Sequence, residues 1–332
     1  MAQKWKRFQI KFICFVLIVL GILGAIFIDI DDYAHFKFKF KTDVSFHQLF
    51  KIFNIKTNFA PETAEGFATI WEIDVGQGKS ILIKSESNAV LIDTGDLEYG
   101  NAIINFLTQK QIYKLDYLII THPHADHMGG ARKILENCPV STVMLPKMSD
   151  KILPTSNMFN NFLNTLKEKE IPLVSPACGD KFNSGKVQLE ILSEYDESFD
   201  LNNISIVTKI TYGAFSFLST GDIEIPAEQK ILEHVKSLNC ANLLRSNVLD
   251  VAHHGSKTST TTEFLDATNP EIALISVGIN DYGHPNSKTL SCLTQKNIPY
   301  FCTNKEGTLQ INIFENYYSL LADGREIKKV NL

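Results

Sequence analysis

The chain has 332 residues, of which 44% are hydrophobic and 21% charged, and a formal net charge of −5 at pH 7. This is an ordinary globular composition for one large domain or two small ones, without an internal repeat or low-complexity tract, which excludes a disordered or fibrous chain. Residues 42–332 carry 25 Lys or Arg against 34 Asp or Glu, so broad electrostatic gripping of nucleic acid, which needs a basic excess, is excluded as well.

Lys4, Lys6, Arg7 and Lys11 precede 17 consecutive uncharged residues, Phe12 to Ile28. That run reaches the lower limit for crossing a bilayer. Basic residues before it and Asp29, Asp31 and Asp32 after it predict a cytoplasmic tip and transmembrane signal anchor over residues 1–30 with the remainder exported, although Lys37, Lys39 and Lys41 reduce the asymmetry. Secretion after signal cleavage is the alternative, but Ala25-Ile26-Phe27-Ile28 lacks a small-x-small cleavage pattern. Residues 31–66 read as a linker or stalk, where HFKFKFK alternates with period two as a short strand or headgroup-touching segment would.

Residues 67–332 form the third region. Strands are predicted at 68–74, 80–84 and 89–92, with Gly76 and Gly78 marking the first turn. A helix at 101–110, a strand at 115–120, a helix near 128–136 and a strand at 142–145 follow. After a helix at 158–168 come strands at 187–192, 204–211 and 215–219, then a helix at 226–236, a strand at 248–252, a helix at 262–267 and a strand at 272–276. This order predicts two sheets sandwiched between helices, with functional side chains on loops at one edge.

The stretch THPHADHMGG, residues 121–130, places His122, His124, Asp126 and His127 within six positions directly after the apolar run LDYLII. Pro123 biases His122 away from helix, so both imidazoles of H-x-H can project to one side of a turning backbone, and Gly129 and Gly130 let the chain fold back closely. Imidazole and carboxylate donors suit Zn²⁺ or Mn²⁺, and two nitrogens for one ion with an oxygen and a nitrogen for a neighbour make most of a two-metal site. A histidine-rich surface loop is the alternative. Asp222 ends another apolar strand, where a carboxylate can bridge two cations or cap the following helix. DVAHHGS repeats the strand-then-ligand arrangement: one of His253 and His254 completes the second ion's shell, and we assign His254, leaving His253 to face substrate. Ser256, Lys257 and Thr258 either donate to a phosphate or cap the next helix. The six cysteines have no C-x-x-C spacing, so neither a disulfide framework nor a cysteine zinc site is predicted. Cys292 and Cys302 are the pair that an exported domain could join.

H-x-H-x-D-H, with IDVGQGKSILI, LIDTGD, FLSTGD, VAHHGSKTS and YGHPNS, resembles the metallo-β-lactamase fold superfamily and most of all the hydrolase domain of ComEC-type competence proteins, over about residues 70–310. The resemblance implies an α+β, four-layer αββα sandwich behind the transmembrane helix. It also implies two divalent ions, Zn²⁺ or Mn²⁺, with His122, His124, Asp126, His127, Asp222 and His254 as ligands, and Asp93 orienting a ligand histidine. Asp126 would orient a metal-bound hydroxide, with His253 facing the substrate and His284 holding a phosphate oxygen or protonating a leaving group. Three departures stand out: Lys79 replaces an acidic residue, Asn286 replaces a frequent histidine, and the third histidine of the first metal is missing, with Asn203 at roughly its place. The expected substrate is a phosphodiester, DNA, nucleotide or cell-wall phosphorylcholine; a catalytically weak accessory module in DNA uptake or envelope assembly is the alternative. One membrane run cannot form a transport channel.

Overall fold

The computed structural model describes residues 66–332 except Ala241. The expected membrane run at 12–28 and nearly all of the stalk lie outside the described residues. Among the described residues no helix is long and apolar enough to cross a membrane.

Six strands come first: β1 (Ala68–Glu72), β2 (Ile81–Ser85), β3 (Asn88–Ile92), β4 (Leu115–Ile119), β5 (Val140–Met144) and β6 (Leu173–Val174). Seven form a second sheet: β7 (Lys181–Ser184), β8 (Val187–Ile191), β9 (Thr208–Tyr212), β10 (Phe215–Ser219), β11 (Val248–Asp250), β12 (Ile272–Ile275) and β13 (Tyr300–Cys302). The chain then returns to the first sheet with β14 (Leu309–Ile313), β15 (Tyr317–Ala322) and β16 (Arg325–Asn331). The sheet orders are β16-β15-β14-β1-β2-β3-β4-β5-β6 and β13-β12-β11-β10-β9-β8-β7.

Three apolar cores explain the layering. One joins facing strands of both sheets, with Ile70, Ile83, Val90 and Ile311 against Leu189, Ile210, Phe217 and Leu274. A second packs the outer face of the first sheet on the helices Gly100–Gln109, Ala131–Asn137 and Asn157–Glu168, through Ile103, Leu107, Ile134 and Phe162. A third does the same for the second sheet and the helices Ile225–Ser237, Thr262–Thr268 and Ser287–Gln295, through Ile231, Phe264 and Leu293. The layers therefore run helix, sheet, sheet, helix. Inner strands are covered on both faces, so β12 reads IALI without alternation, whereas edge strand β16 exposes alternate residues and carries Lys328 and Lys329. Each fully buried Leu, Ile or Phe contributes about 1.5–3 kcal/mol relative to exposure.

β3, β4 and β5 are parallel, as are β10, β11 and β12. Their carboxyl ends therefore gather on common rims, where ligands collect in open α/β sheets. The strand expected from Ile204 begins only at Thr208. Ile204–Val207 are buried, but Ile206 donates its N–H to Thr121 O, in the loop just beyond β4, at 2.9 Å. This segment is a loop that passes the end of β4, and its apolar run reflects burial rather than sheet pairing.

Candidate metal centre

The H-x-H-x-D-H loop leaves β4 under tight constraint. Asp93, buried at the end of β3, accepts from Thr121 N at 2.8 Å, Thr121 Oγ1 at 2.7 Å and His127 Nδ1 at 2.7 Å. Its carboxylate engages His127 Nδ1, so Nε2 faces away from Asp93 and is the nitrogen a cation would meet once it is deprotonated. From the other side Lys79 N donates to Asp126 O at 3.0 Å. Gly78 permits this approach, since a Cβ there would lie 2.6 Å from Asp126 O.

Asp222 arrives from the end of β10. Gly221 before it has φ +55°, and a Cβ would meet the Ser205 Cβ at 2.7 Å, so this turn requires glycine. Asp222 N donates to Ser205 Oγ at 3.1 Å. Asp222 Oδ1 lies 3.2 Å from His127 Nε2 and Oδ2 lies 3.5 Å from His254 Nε2, so its two oxygens face different imidazoles. His254 donates Nδ1 to Ser276 O at 2.8 Å, which leaves Nε2 for Asp126 Oδ2 at 3.2 Å. One donor atom from each of Asp126, His127, Asp222 and His254 falls within 4.8 Å of the others. His127 Nε2 and Asp222 Oδ1 are buried without a hydrogen-bond partner. Buried orphan donors cost free energy unless something else engages them, and this set of two imidazoles and two carboxylates fits a divalent cation. Beside it, His122 Nε2 and His124 Nδ1 stand 2.9 Å apart. Those two nitrogens would serve a second ion.

The residues 73–279 match the family model described as the metallo-beta-lactamase superfamily. The chain belongs to this superfamily. It is 33% identical over 258 residues to ComE operon protein 3 of Bacillus subtilis (strain 168), covering 72% of this chain and 32% of that protein. It is 26% identical over 263 residues to Competence protein ComA of Neisseria gonorrhoeae, covering 77% and 34%. Both relatives are ComEC-type competence proteins, and the match spans about a third of their length. A solved structure of a CmlA beta-hydroxylase variant aligns with TM-score 0.51 at 12% identity, over 82% of this chain and 60% of that one, a likeness of fold alone.

The superfamily pattern is altered at positions that the structure accounts for. Asn203 does not stand in for the absent histidine. Its Oδ1 accepts from Glu224 N at 3.1 Å and Ala227 N at 3.3 Å, and its Nδ2 donates to Asp200 at 2.8 Å. Asn203 thus caps the Ile225–Ser237 helix, the task weighed for Asp222. Ser205 Oγ lies 3.3 Å from His122 Nδ1, the ring nitrogen opposite the Nε2 that would meet an ion. Asn203→Ala is expected to cost about 1–2 kcal/mol, the usual worth of an N-cap, with metal content unchanged; thermal melting beside elemental analysis measures both. Asn286 caps the Ser287–Gln295 helix by accepting from Lys288 N at 3.0 Å. Ser256 is also committed: its Oγ accepts from Thr258 N at 3.3 Å and pairs with Thr258 Oγ1 at 2.9 Å. The next helix is capped by Thr261, so Ser256 serves a turn rather than a substrate or a cap.

Lys79 is fully buried and donates to both oxygens of buried Asp250, at 2.8 and 2.9 Å, and to Gly221 O at 3.2 Å. Burial alone would lower its pKa, but Asp250, Asp222 and Glu72 outweigh burial and leave it raised. Burial, and then Asp250 beside it, hold Glu72 well above the carboxylate range, leaving one negative charge between the two acids opposite the ammonium. The pair ties the first sheet to the second and clamps the turn that carries Asp222. Sequence reasoning missed this pairing, although Lys79 had stood out as a departure and Asp250 opens the DVAHHGS motif. His253 and His254 both occupy the left-handed region, at φ 53° and 54°. His253 Nδ1 faces Glu224 Oε1 at 3.2 Å, and its ring lies 5.5 Å from that of His284.

Electrostatics separate the imidazoles. Burial, followed by the charge on His127, holds His122 well below its usual value. Burial also opposes charge on His127, yet Asp222 and Asp93 outweigh it and raise His127 well above 6.5. Burial would raise Asp222, but His127 and His254 bring it well below 3.8. The His127 contribution to metal-free stability is therefore complete below pH 6.5 and lost as pH rises through the raised value. That of Asp222 is complete above pH 3.8 and lost as pH falls through the depressed one. A cation needs neutral His127, so uptake at pH 7 should release a proton and affinity should rise about tenfold per pH unit. Calorimetric titration in buffers of different ionisation enthalpy measures this; buffer-independent heats would contradict it.

Proposed function

We propose that this chain is a divalent-metal-dependent phosphodiesterase, anchored by residues 12–28 with its catalytic domain outside the cytoplasm, acting on DNA or nucleotides. The observation that carries the reading is the convergence of Asp126, His127, Asp222 and His254, two of them with buried donor atoms that lack a hydrogen-bond partner, beside the adjacent half-buried rings of His253 and His284. Competence relatives favour a nucleic-acid substrate, and the acidic excess of residues 42–332 leaves a metal centre as the place to attract a phosphate.

Two bound divalent ions would lower the pKa of water and offset charge developing on phosphate oxygens. Every other contribution belongs to the side chains. Asp126, with 32% of its side chain exposed, is the donor open to solvent, and its carboxylate orients the attacking water. Asp222, whose two oxygens face His127 and His254, would help those imidazoles hold a cation and offset its charge. His284 is lowered by burial and then by His253 and His254, so it is neutral at pH 7 and offers an N–H to a phosphate oxygen or leaving group. His253, its Nδ1 3.2 Å from Glu224 Oε1, provides the second donor beside it. Full-length protein with Mn²⁺ or Zn²⁺ should hydrolyse bis-p-nitrophenyl phosphate and DNA, and Asp126→Ala should lose roughly 10³-fold in turnover with an unchanged fold. p-Nitrophenyl phosphorylcholine in parallel tests the cell-wall substrate class.

One observation favours the accessory-module reading: Asn203, at roughly the place of the first ion's third histidine, is committed to capping the Ile225–Ser237 helix rather than to an ion. Wild type and Asp126→Ala equally inert with every metal would decide for it.

A further inference from the structure

Away from the centre, three chain segments bring together a thiol, a carboxylate and an imidazole. Cys178 lies in the turn between β6 and β7, Glu194 follows β8, and His234 sits in the last turn of the Ile225–Ser237 helix. One donor atom from each falls within 4.8 Å of the other two. His234 Nδ1 and Glu194 Oε1 are 2.6 Å apart, with side-chain exposures of 32% and 23%, and Cys178 is half-buried. All five described cysteines are free, Cys292 and Cys302 included.

We propose that Cys178, Glu194 and His234 form a separate zinc site, with three protein ligands and a fourth position open to solvent. Sulfur, nitrogen and oxygen donors in this combination suit Zn²⁺ above harder cations. Tetrahedral zinc separates its donors by about 3.5 Å, so side-chain rotations of roughly an ångström close the group on an ion. The surroundings already attract a cation. Burial, then Glu194, Glu190 and Asp180, push the thiol up to about 12. The negative field that disfavours a thiolate standing alone favours a divalent ion, which deprotonates the sulfur and releases its proton to solvent.

The frame that holds the ligands is built twice over. Asp196, two residues beyond Glu194, pairs with Lys230 at 3.2 Å, one helical turn before His234. The segment after β8 thus lies along one helix face, meeting it at i and i+4. An ion would add the turn before β7 to this contact and join three segments that the sequence separates widely. The helix begins three residues after Asp222, so the zinc site secures the far end of an element whose near end adjoins the candidate metal centre.

Co²⁺ distinguishes the two sites, because the centre around Asp222 contains no sulfur. Full-length protein, thiols reduced, should show thiolate-to-cobalt charge-transfer absorption in the near ultraviolet, displaced by Zn²⁺. Asp222→Ala should retain it, Cys178→Ser should abolish it, and His234→Gln should weaken cobalt binding at least tenfold. Cys178→Ser should also bind one Zn²⁺ fewer per chain with phosphodiester turnover and circular dichroism unchanged. No charge-transfer band in the wild type, or a band untouched by Cys178→Ser, would overturn the site, whatever the phosphodiesterase assay shows.

Discussion

Lys79→Met is expected to remove about 3–5 kcal/mol of stability, the cost of leaving a buried charge without its partner. Lys79 and Asp250 are both 0% exposed, and the ammonium serves two carboxylate oxygens and a carbonyl at once. Methionine keeps the volume but leaves the charge shared by Asp250 and Glu72 uncompensated in the interior. Adding Asp250→Asn removes that charge, so the double variant should recover most of the loss; the interaction in this cycle separates a pair effect from a general packing effect. Urea denaturation of the four proteins reads it as shifts in midpoint at constant slope. The stable double variant should still bind metal less well than wild type, since nothing then holds Gly221 O. A single-variant loss below about 1 kcal/mol, the range of an exposed pair, would mean that the interior accommodates the change and that the clamp has little effect.

Asp222→Asn should have the largest effect on function. The amide keeps the backbone bond to Ser205 and nearly the same volume, but the negative charge facing His127 and His254 is gone. A bridging carboxylate offsets the repulsion between two cations, so its loss should reduce Mn²⁺ bound at this centre from two ions to at most one and turnover by roughly 10³-fold. Folding should survive, because the mutated side chain packs against the site rather than the apolar cores. Metal content after gel filtration and rates with bis-p-nitrophenyl phosphate give the two numbers. Full metal content with full activity would place Asp222 outside the chemistry.

The centre was legible where chemistry sits next to its own strand. Asp93, the H-x-H-x-D-H loop, Asp222 and His254 each follow an apolar run, and a strand end at a common rim is where the fold delivers them. What lay hidden depends on partners far apart in the chain. Lys79 and Asp250 are separated by 171 positions, and no local pattern links them. Asn203 occupied the expected place in sequence, but only the bonds to Glu224 and Ala227 reveal a cap. Cys178, Glu194 and His234 have no motif spacing at all.

The fold shows the same division. Strands buried on both faces, such as β3 and β12, are plain in their composition. Ile204–Val207 look identical to them, yet their burial comes from crossing the end of β4. The final three strands escaped notice because β14 pairs with β1, and Ile70 finds Ile311 only after the second sheet is complete. Edge strand β16, charged at four of its seven positions, carries only Ile327 and Val330 as an apolar signal.

Anomalous diffraction from Mn²⁺-loaded crystals tests the central claim most directly. The account predicts one ion bound by Asp126, His127, Asp222 and His254, and a second contacting His122, His124 and the other Asp222 oxygen. Manganese found only elsewhere, or Asp222 bound to none, would contradict it.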